Sequence, residues 1–423
     1  MPQNPTQLHR ALCLALSDRL EQAGCASYTP SDWENLVALA QSKGLAPLLF
    51  WTLKHANSGI YTAIPDDTRR QLRSIYATDL SKQVHRAQEL HSILAALNEA
   101  GLPATVLKGA YLAEHVYDNI ALRSMTDIDL LVHPQDMGRC DSCLCKLGYH
   151  PTRRAWIERD YASAHHHLPP YYKDGASPVE IHWSIAHPAH PATVDLRALW
   201  QRARPASIAG VPGFALSDED LLVHLCLHTC YSNRFEGGIR NIVDIFMVVQ
   251  KAHARLDWEQ VIHTAGAWGI HRGVFLTLLI AQDLLSACVP AQAIESLRPH
   301  DFDPQILSLA EEMLFDNFRI SINFSRLWQQ SSLRQRASLV WRRIFLSPNV
   351  LSSKYPIQPD SPSLPRFYLR RLKELILRYS RLTWRVAWSS GQEKAAIERQ
   401  NRLLQWLEQT NGLAEDRPLL SRE

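Results

Sequence analysis

The ten residues RSMTDIDLLV, 123 to 132, end in alternating acidic and apolar side chains, in a chain whose other patterns are mostly helical. A period of two marks a strand, whose side chains point to opposite faces in turn. Asp127 and Asp129 therefore share one face, and Ile128 and Leu130 the other. Any fold that accepts this segment must carry two carboxylates side by side, which repel each other unless a cation or a shared proton compensates. Hard divalent ions such as Mg²⁺ take oxygen ligands of this kind, usually with substrate phosphates completing the shell.

The flanking patterns place this strand in a small sheet. Leu90, Ile93, Leu94 and Leu97 recur at helical spacing, and Gly101 with Pro103 ends that helix. ATVLKG then reads as a buried strand entering a turn, with a helix from about 110 to 117. A further helix spans Gln135 to Leu147. Ala162 to Tyr172 and the run PVEIHWSI flank Lys173-Asp174-Gly175 and read as a hairpin, which puts a third carboxylate, Glu180, on its own strand. From Ser217, an N-cap with Asp220 in the first turn, helices are expected to fill the chain to about residue 348.

The expected class is thus α+β, a small sheet core between helical regions. Residues 1–100 form an N-terminal helical region, 101–215 the α+β core and 216–348 a larger helical domain. Residues 349–423 hold a Pro/Ser-rich linker, basic helices and a tail.

At 423 residues, 46% hydrophobic and 21% charged, the composition is that of an ordinary globular protein. A formal charge of +3 argues against a strongly basic nucleic-acid-binding chain, and no DNA partner is indicated. The N-terminus lacks a basic start followed by an apolar run, and Gln282 and Asp283 interrupt the most apolar later stretch, so a cytoplasmic protein is expected. Eight cysteines in such a chain read as reduced thiols. CDSCLC has no matching second ligand pair at zinc-site spacing.

Between the two strands, the turn Leu107-Lys108-Gly109-Ala110 aims backbone N–H groups and a helix N-terminus at an anion. The order LKGAYL, RSMTDIDLLV, VEIHWSI resembles the nucleotidyltransferase family related to DNA polymerase β, in a branch of largely uncharacterised bacterial proteins. LLVHLCLHTC and IRNIVDIFMVV are similar to the same branch, and residues 100 to 250 carry the resemblance. It implies a polymerase β-like sheet core that moves a nucleoside monophosphate from an NTP to a hydroxyl or phosphate of an acceptor, releasing pyrophosphate. A sugar or other small metabolite, a peptide or protein side chain, or an RNA end could each be the acceptor.

The resemblance also implies roles. Gly109 serves the phosphates, Asp127 and Asp129 hold two Mg²⁺ (or Mn²⁺) ions, and Glu180 binds the ion nearer the acceptor. Two ions clamping the attacking and leaving oxygens of an in-line displacement agree with the physical reading of the carboxylates. Lys108 and Arg123 then offset the triphosphate charge, the arginine by a bidentate contact. The turn departs from the pattern of many members: it lacks a serine after Gly109, and its gap to Asp127 is long.

Other residues admit two readings each. One or two of His165, His166 and His167, together with His182, line the substrate pocket, or they belong to an ordinary polar hairpin. His224 and His228 lie roughly 200° around a helix from Cys226 and Cys230, which argues against a single zinc site. His228 with Arg240 and Asp244 completes the nucleotide or acceptor pocket, or forms a buried network between helices. Residues 366 to 388 hold seven basic residues and one acidic one. Such a helix either packs its Leu and Trp positions, the favoured reading, or meets RNA or an anionic membrane surface. Two alternatives to an enzyme follow: a non-catalytic nucleotide-binding or regulatory protein on the same fold, and a peripheral protein acting through that basic helix.

Overall fold

Two short strands, β1 (Ala104–Val106) and β2 (Ile128–Val132), lie near the middle of a seven-stranded mixed sheet. Its other strands are β3 (His150–Pro151), β4 (Tyr171–Tyr172), β5 (Val179–His182), β6 (Arg204–Ile208) and β7 (Val211–Ala215), in the order β3-β4-β5-β2-β1-β7-β6. This computed structural model describes residues 5–17, 19, 21–56, 59–151, 165–188, 192–315, 360–388 and 392–409, with scattered positions between 334 and 358. The first residues of the expected hairpin, 162–164, and the expected helices at 316–333 lie outside the described residues.

β1, β2, β4 and β5 fall in the expected extended runs, whereas β3, β6 and β7 lie outside them. β1 and β2 are antiparallel, with Thr105 opposite Leu131. β2 and β5 run parallel, with Asp129 opposite Glu180 and Leu131 opposite His182. β4 and β5 are antiparallel across a turn in which Gly175 takes φ +74, a conformation that suits glycine. Every residue of β2 is buried, so its side chains are committed on both faces.

Helices surround this sheet. The N-terminal ones are α1 (Pro5–Leu16), α2 (Pro30–Ser42), α3 (Ala46–His55) and the 34-residue α4 (Asp66–Glu99). Gly101, at φ +65, follows α4 as its expected stop. Then come α5 (Lys108–His115), α6 (Met137–Lys146) and α7 (Leu196–Arg202). α8 (Asp218–Leu227), α9 (Ile239–Ala252), α10 (Trp258–Ala267), α11 (His271–Leu285) and α12 (Ala291–Leu297) complete a first compact unit, Met1–Arg298. α8 starts at the predicted cap, where the Asp220 amide donates to Ser217 Oγ at 3.1 Å. α9 buries Ile239, Ile242, Val243, Phe246 and Val249, one face at helical spacing.

One local departure follows α8. The expected helix through Cys230 instead widens into a π-turn over His228–Ser232, and Thr229, Cys230 and Tyr231 are buried there. The Cys230 thiol donates to the Cys226 carbonyl at 2.7 Å. α11 closes on this bulge at Gly273.

The second unit, Pro299–Glu423, contains α13 (Pro304–Phe315), α14 (Leu364–Trp388) and α15 (Gln392–Glu408). Arg402 reaches Asp303 at 2.7 Å, tying α15 to the start of α13. α14 is the basic helix, and its apolar side chains do not all pack as favoured: Leu369, Ile376 and Leu377 are 66%, 56% and 59% exposed. No described helix is long and apolar enough to cross a membrane. All eight cysteines are free; within CDSCLC, Cys140 is buried and Cys145 exposed.

A Cβ at Gly273 would overlap Cys230 Sγ and the Tyr231 ring. Gly273→Ala is expected to destabilise the protein by about 2 kcal/mol, an overpacking effect. A shifted midpoint in urea at unchanged slope checks it.

Candidate active site

The β2–β5 ladder builds the site. Parallel pairing sets Asp129 beside Glu180, and the two-residue period returns His182 to the face of Glu180. His182 Nε2 lies 2.8 Å from Asp129 Oδ1 and 3.4 Å from Glu180 Oε2. Ligating atoms of Asp129, Glu180 and His182 all lie within 4.8 Å of one another. On the other oxygen of Asp129, Lys108 Nζ approaches Oδ2 at 3.2 Å.

Of the expected triad of carboxylates, the structure brings together Asp129 and Glu180, with His182 as the third member. Asp127 precedes β2, is half-buried and falls outside the 4.8 Å set. Burial, then the charges of Asp129 and Glu180, push its pKa up. Asp129 is 4% exposed. Burial opposes its charge, but Lys108 and His182 outweigh that and hold its carboxyl well below the usual range. The His182 hydrogen bond likewise keeps Glu180 low.

The turn from β1 into α5 is where it was expected. Lys108 opens α5 at φ +48, a left-handed conformation that costs a non-glycine residue about 1 kcal/mol or more. Gly109 permits a close approach: a Cβ there would stand 3.2 Å from Met125 Cγ and 3.6 Å from an Arg123 terminal nitrogen. The α5 start is thereby packed against the segment that leads into Asp127.

Arg123, expected beside the nucleotide, and Asp244, expected either there or in a buried network between helices, are paired with each other. Arg123 Nε donates to Asp244 Oδ1 at 2.6 Å and its NH2 to Oδ2 at 2.7 Å. The Tyr117 hydroxyl donates to Asp244 Oδ1 at 2.8 Å. Asp244 is 2% exposed, so this forked edge of the guanidinium is spent inside the protein. The other Arg123 nitrogen donates to the Ser124 carbonyl, as does Arg240 at 3.3 Å, while Ser124 Oγ donates to Asp79 at 2.6 Å. These contacts fix the RSM segment in front of the acidic strand.

Histidines complete the surroundings. His228 accepts from the Asn233 amide at 3.0 Å, and burial followed by the Lys108 charge keeps it neutral. His224 is 1% exposed, and neither ring nitrogen has a hydrogen-bond partner. Burial first, then Lys108, push its pKa down to about 3, with Asp129 and His182 also within electrostatic reach. The His166 ring lies 5.4 Å from that of His182, with a buried, partnerless Nδ1. Thr105, fully buried on β1, has a partnerless Oγ1. Sequence reasoning missed Thr105, Tyr117, Asp79 and the position of His224. Only Thr105 left a signal, a hydroxyl in an otherwise apolar strand. Buried polar atoms without partners are costly, about 1–3 kcal/mol each, and mark places where a ligand or water completes the structure. Two carboxylates, an imidazole and such unfilled donors and acceptors fit a divalent ion with a polar substrate.

Residues 29–286 match a family model described as uncharacterised nucleotidyltransferase. Two solved structures of ANT(2'')-Ia also show similarity. The solution structure of this antibiotic-resistance factor is 19% identical, covering 47% of this chain and 96% of its own, at a TM-score of 0.32. The crystal structure of its complex with adenylyl-2''-tobramycin is 18% identical, covering 43% of this chain and 95% of its own, at 0.31. No curated protein matches the chain.

Removing one partner of a buried ion pair leaves an uncompensated charge. Asp244→Asn is therefore expected to destabilise the fold by about 3 kcal/mol. Thermal melts compared with Asp66→Asn, on an exposed helix end, check it.

Proposed function

Because the chain belongs to the uncharacterised nucleotidyltransferase family, we propose that it transfers a nucleoside monophosphate from an NTP to a hydroxyl or phosphate of an acceptor, releasing pyrophosphate. The observation that carries this reading is the in-register pairing of Asp129 with Glu180, which puts two carboxylates of different strands on one face, Asp129 two residues along the chain from Asp127. Asp127, Asp129 and Glu180 would hold divalent ions, Mg²⁺ or Mn²⁺, which would supply positive charge to the phosphate oxygens.

The chain's own residues do the rest. The start of α5, at Lys108 and Gly109, offers backbone N–H groups to the triphosphate. An acceptor oxygen attacks the α-phosphorus, the bond to the bridging oxygen breaks, and pyrophosphate leaves with that electron pair. The acceptor proton passes to a carboxylate of this set. Arg123 and Asp244 act by position: their ion pair holds the segment before Asp127, and Arg240 supports it through Ser124. His228 and the unpartnered His224, on α8 and its π-turn, lie within electrostatic reach of Asp129, where neutral imidazoles suit hydrogen bonds to base or acceptor.

Each of four α-labelled NTPs is incubated with the full chain, Mg²⁺ or Mn²⁺ and cell extract. Label is expected to enter an acceptor with one NTP, and Asp129→Asn to reduce that transfer by about 10²-fold or more at unchanged circular dichroism. Absence of both NTP binding and label transfer with the wild-type protein sinks the proposal.

A further inference from the structure

We infer that His182 is itself a metal ligand, and that its nitrogen makes the site select a first-row transition ion over Mg²⁺. This rests on the reading above that Asp129 and Glu180 hold a metal, and it deepens that reading by naming the donor set and the class of ion.

The geometry divides the oxygens of Asp129 between two partners. Lys108 takes Oδ2, while Oδ1 faces His182 Nε2, which also faces Glu180 Oε2. One carboxylate oxygen from each strand and one imidazole nitrogen thus converge within 4.8 Å of one another. Metal–ligand bonds of about 2.0–2.2 Å put neighbouring donors about 3 Å apart, so only a small adjustment places an ion among them. His182 is 2% exposed and fixed on a central strand, so its ring is already presented. When the ion enters, the proton that Nε2 shares with the carboxylates goes to solvent and the lone pair turns to the metal.

Two independent features point to the same place. His224 is buried with both ring nitrogens unpartnered, within electrostatic reach of Asp129 and His182. His166 holds an unpartnered Nδ1 in a ring 5.4 Å from that of His182. A nitrogen-rich surrounding of this kind does not match Mg²⁺, which keeps oxygen ligands and several waters. Imidazole raises affinity along the series from Mn²⁺ to Co²⁺ and beyond.

The test uses the full chain and the metals alone. Wild-type protein is expected to bind Co²⁺ at least about tenfold more tightly than Mg²⁺, and His182→Asn to weaken Co²⁺ and Mn²⁺ by about tenfold or more while moving Mg²⁺ by less than about twofold. Pulsed EPR of bound Mn²⁺ is expected to show a ¹⁴N coupling that changes on ¹⁵N-histidine labelling and disappears in His182→Asn. If that variant misfolds by circular dichroism, the labelled wild-type spectrum decides. A bound Mn²⁺ without nitrogen coupling overturns the inference, as does a nitrogen signal that survives in folded His182→Asn. If Mn²⁺ binds and Asp129→Asn abolishes binding, the metal reading stands in either case. If wild-type protein binds no divalent ion, or Asp129→Asn binds as well as wild type, the metal reading fails with it.

Discussion

The parallel pairing of β2 with β5 is the contact on which the rest depends. A strand's side chains alternate, so the register decides which residues of two distant segments share a face. With Asp129 opposite Glu180, the carboxylates and His182 meet on one face, while Ile128, Leu130, Val179 and Ile181 are fully buried on the other. A slip of one residue would put charges into that apolar layer and aliphatic side chains into the site. Burial of the apolar residues thus enforces the arrangement of the polar ones.

A second layer of control sits before β2. The segment RSM is not part of the sheet, yet it sets where the first aspartate emerges. It is held by a buried ion pair to α9, a hydrogen bond from the Ser124 hydroxyl to Asp79 of α4 and close packing against Gly109 of α5. Each contact comes from a different helix. Such an ion pair is weak evidence for added stability, but it fixes one orientation, because any other leaves a buried charge unpaired. The helices around the sheet therefore do more than cover it: they orient the strand entry that carries the acids.

Much of this was legible in the sequence because it is local. Alternation in DIDLLV, the Lys-Asp-Gly hairpin, the Gly101 stop and the Ser217 cap each need only a few neighbouring residues to be read, and the structure shows all four. What escaped depends on long-range pairing. Arg123 and Asp244 are 121 residues apart, and no spacing rule links them. An exposed-looking arginine beside an acidic strand suggests a phosphate contact until its partner is seen. His182 was picked out as a neighbour of Glu180, but its reach across the strand to Asp129 follows from register, which a single strand does not reveal. The π-turn escaped because HLCLHTC satisfies helical spacing, whereas the turn packs closely against Gly273, more than forty residues away in the chain. The basic helix misled in the opposite way: its leucines look like core positions, and three large apolar side chains of α14 face outward.

The Lys108 contact has a consequence for how the chain reaches its folded form. A buried carboxylate normally needs a countercharge before it can leave water. Here the ammonium of Lys108, delivered by the turn that opens α5, and the imidazole of His182 meet Asp129 from within the chain. The countercharge that lets Asp129 be buried thus comes with the fold itself, unlike in small metal-dependent domains, where binding supplies the folding energy.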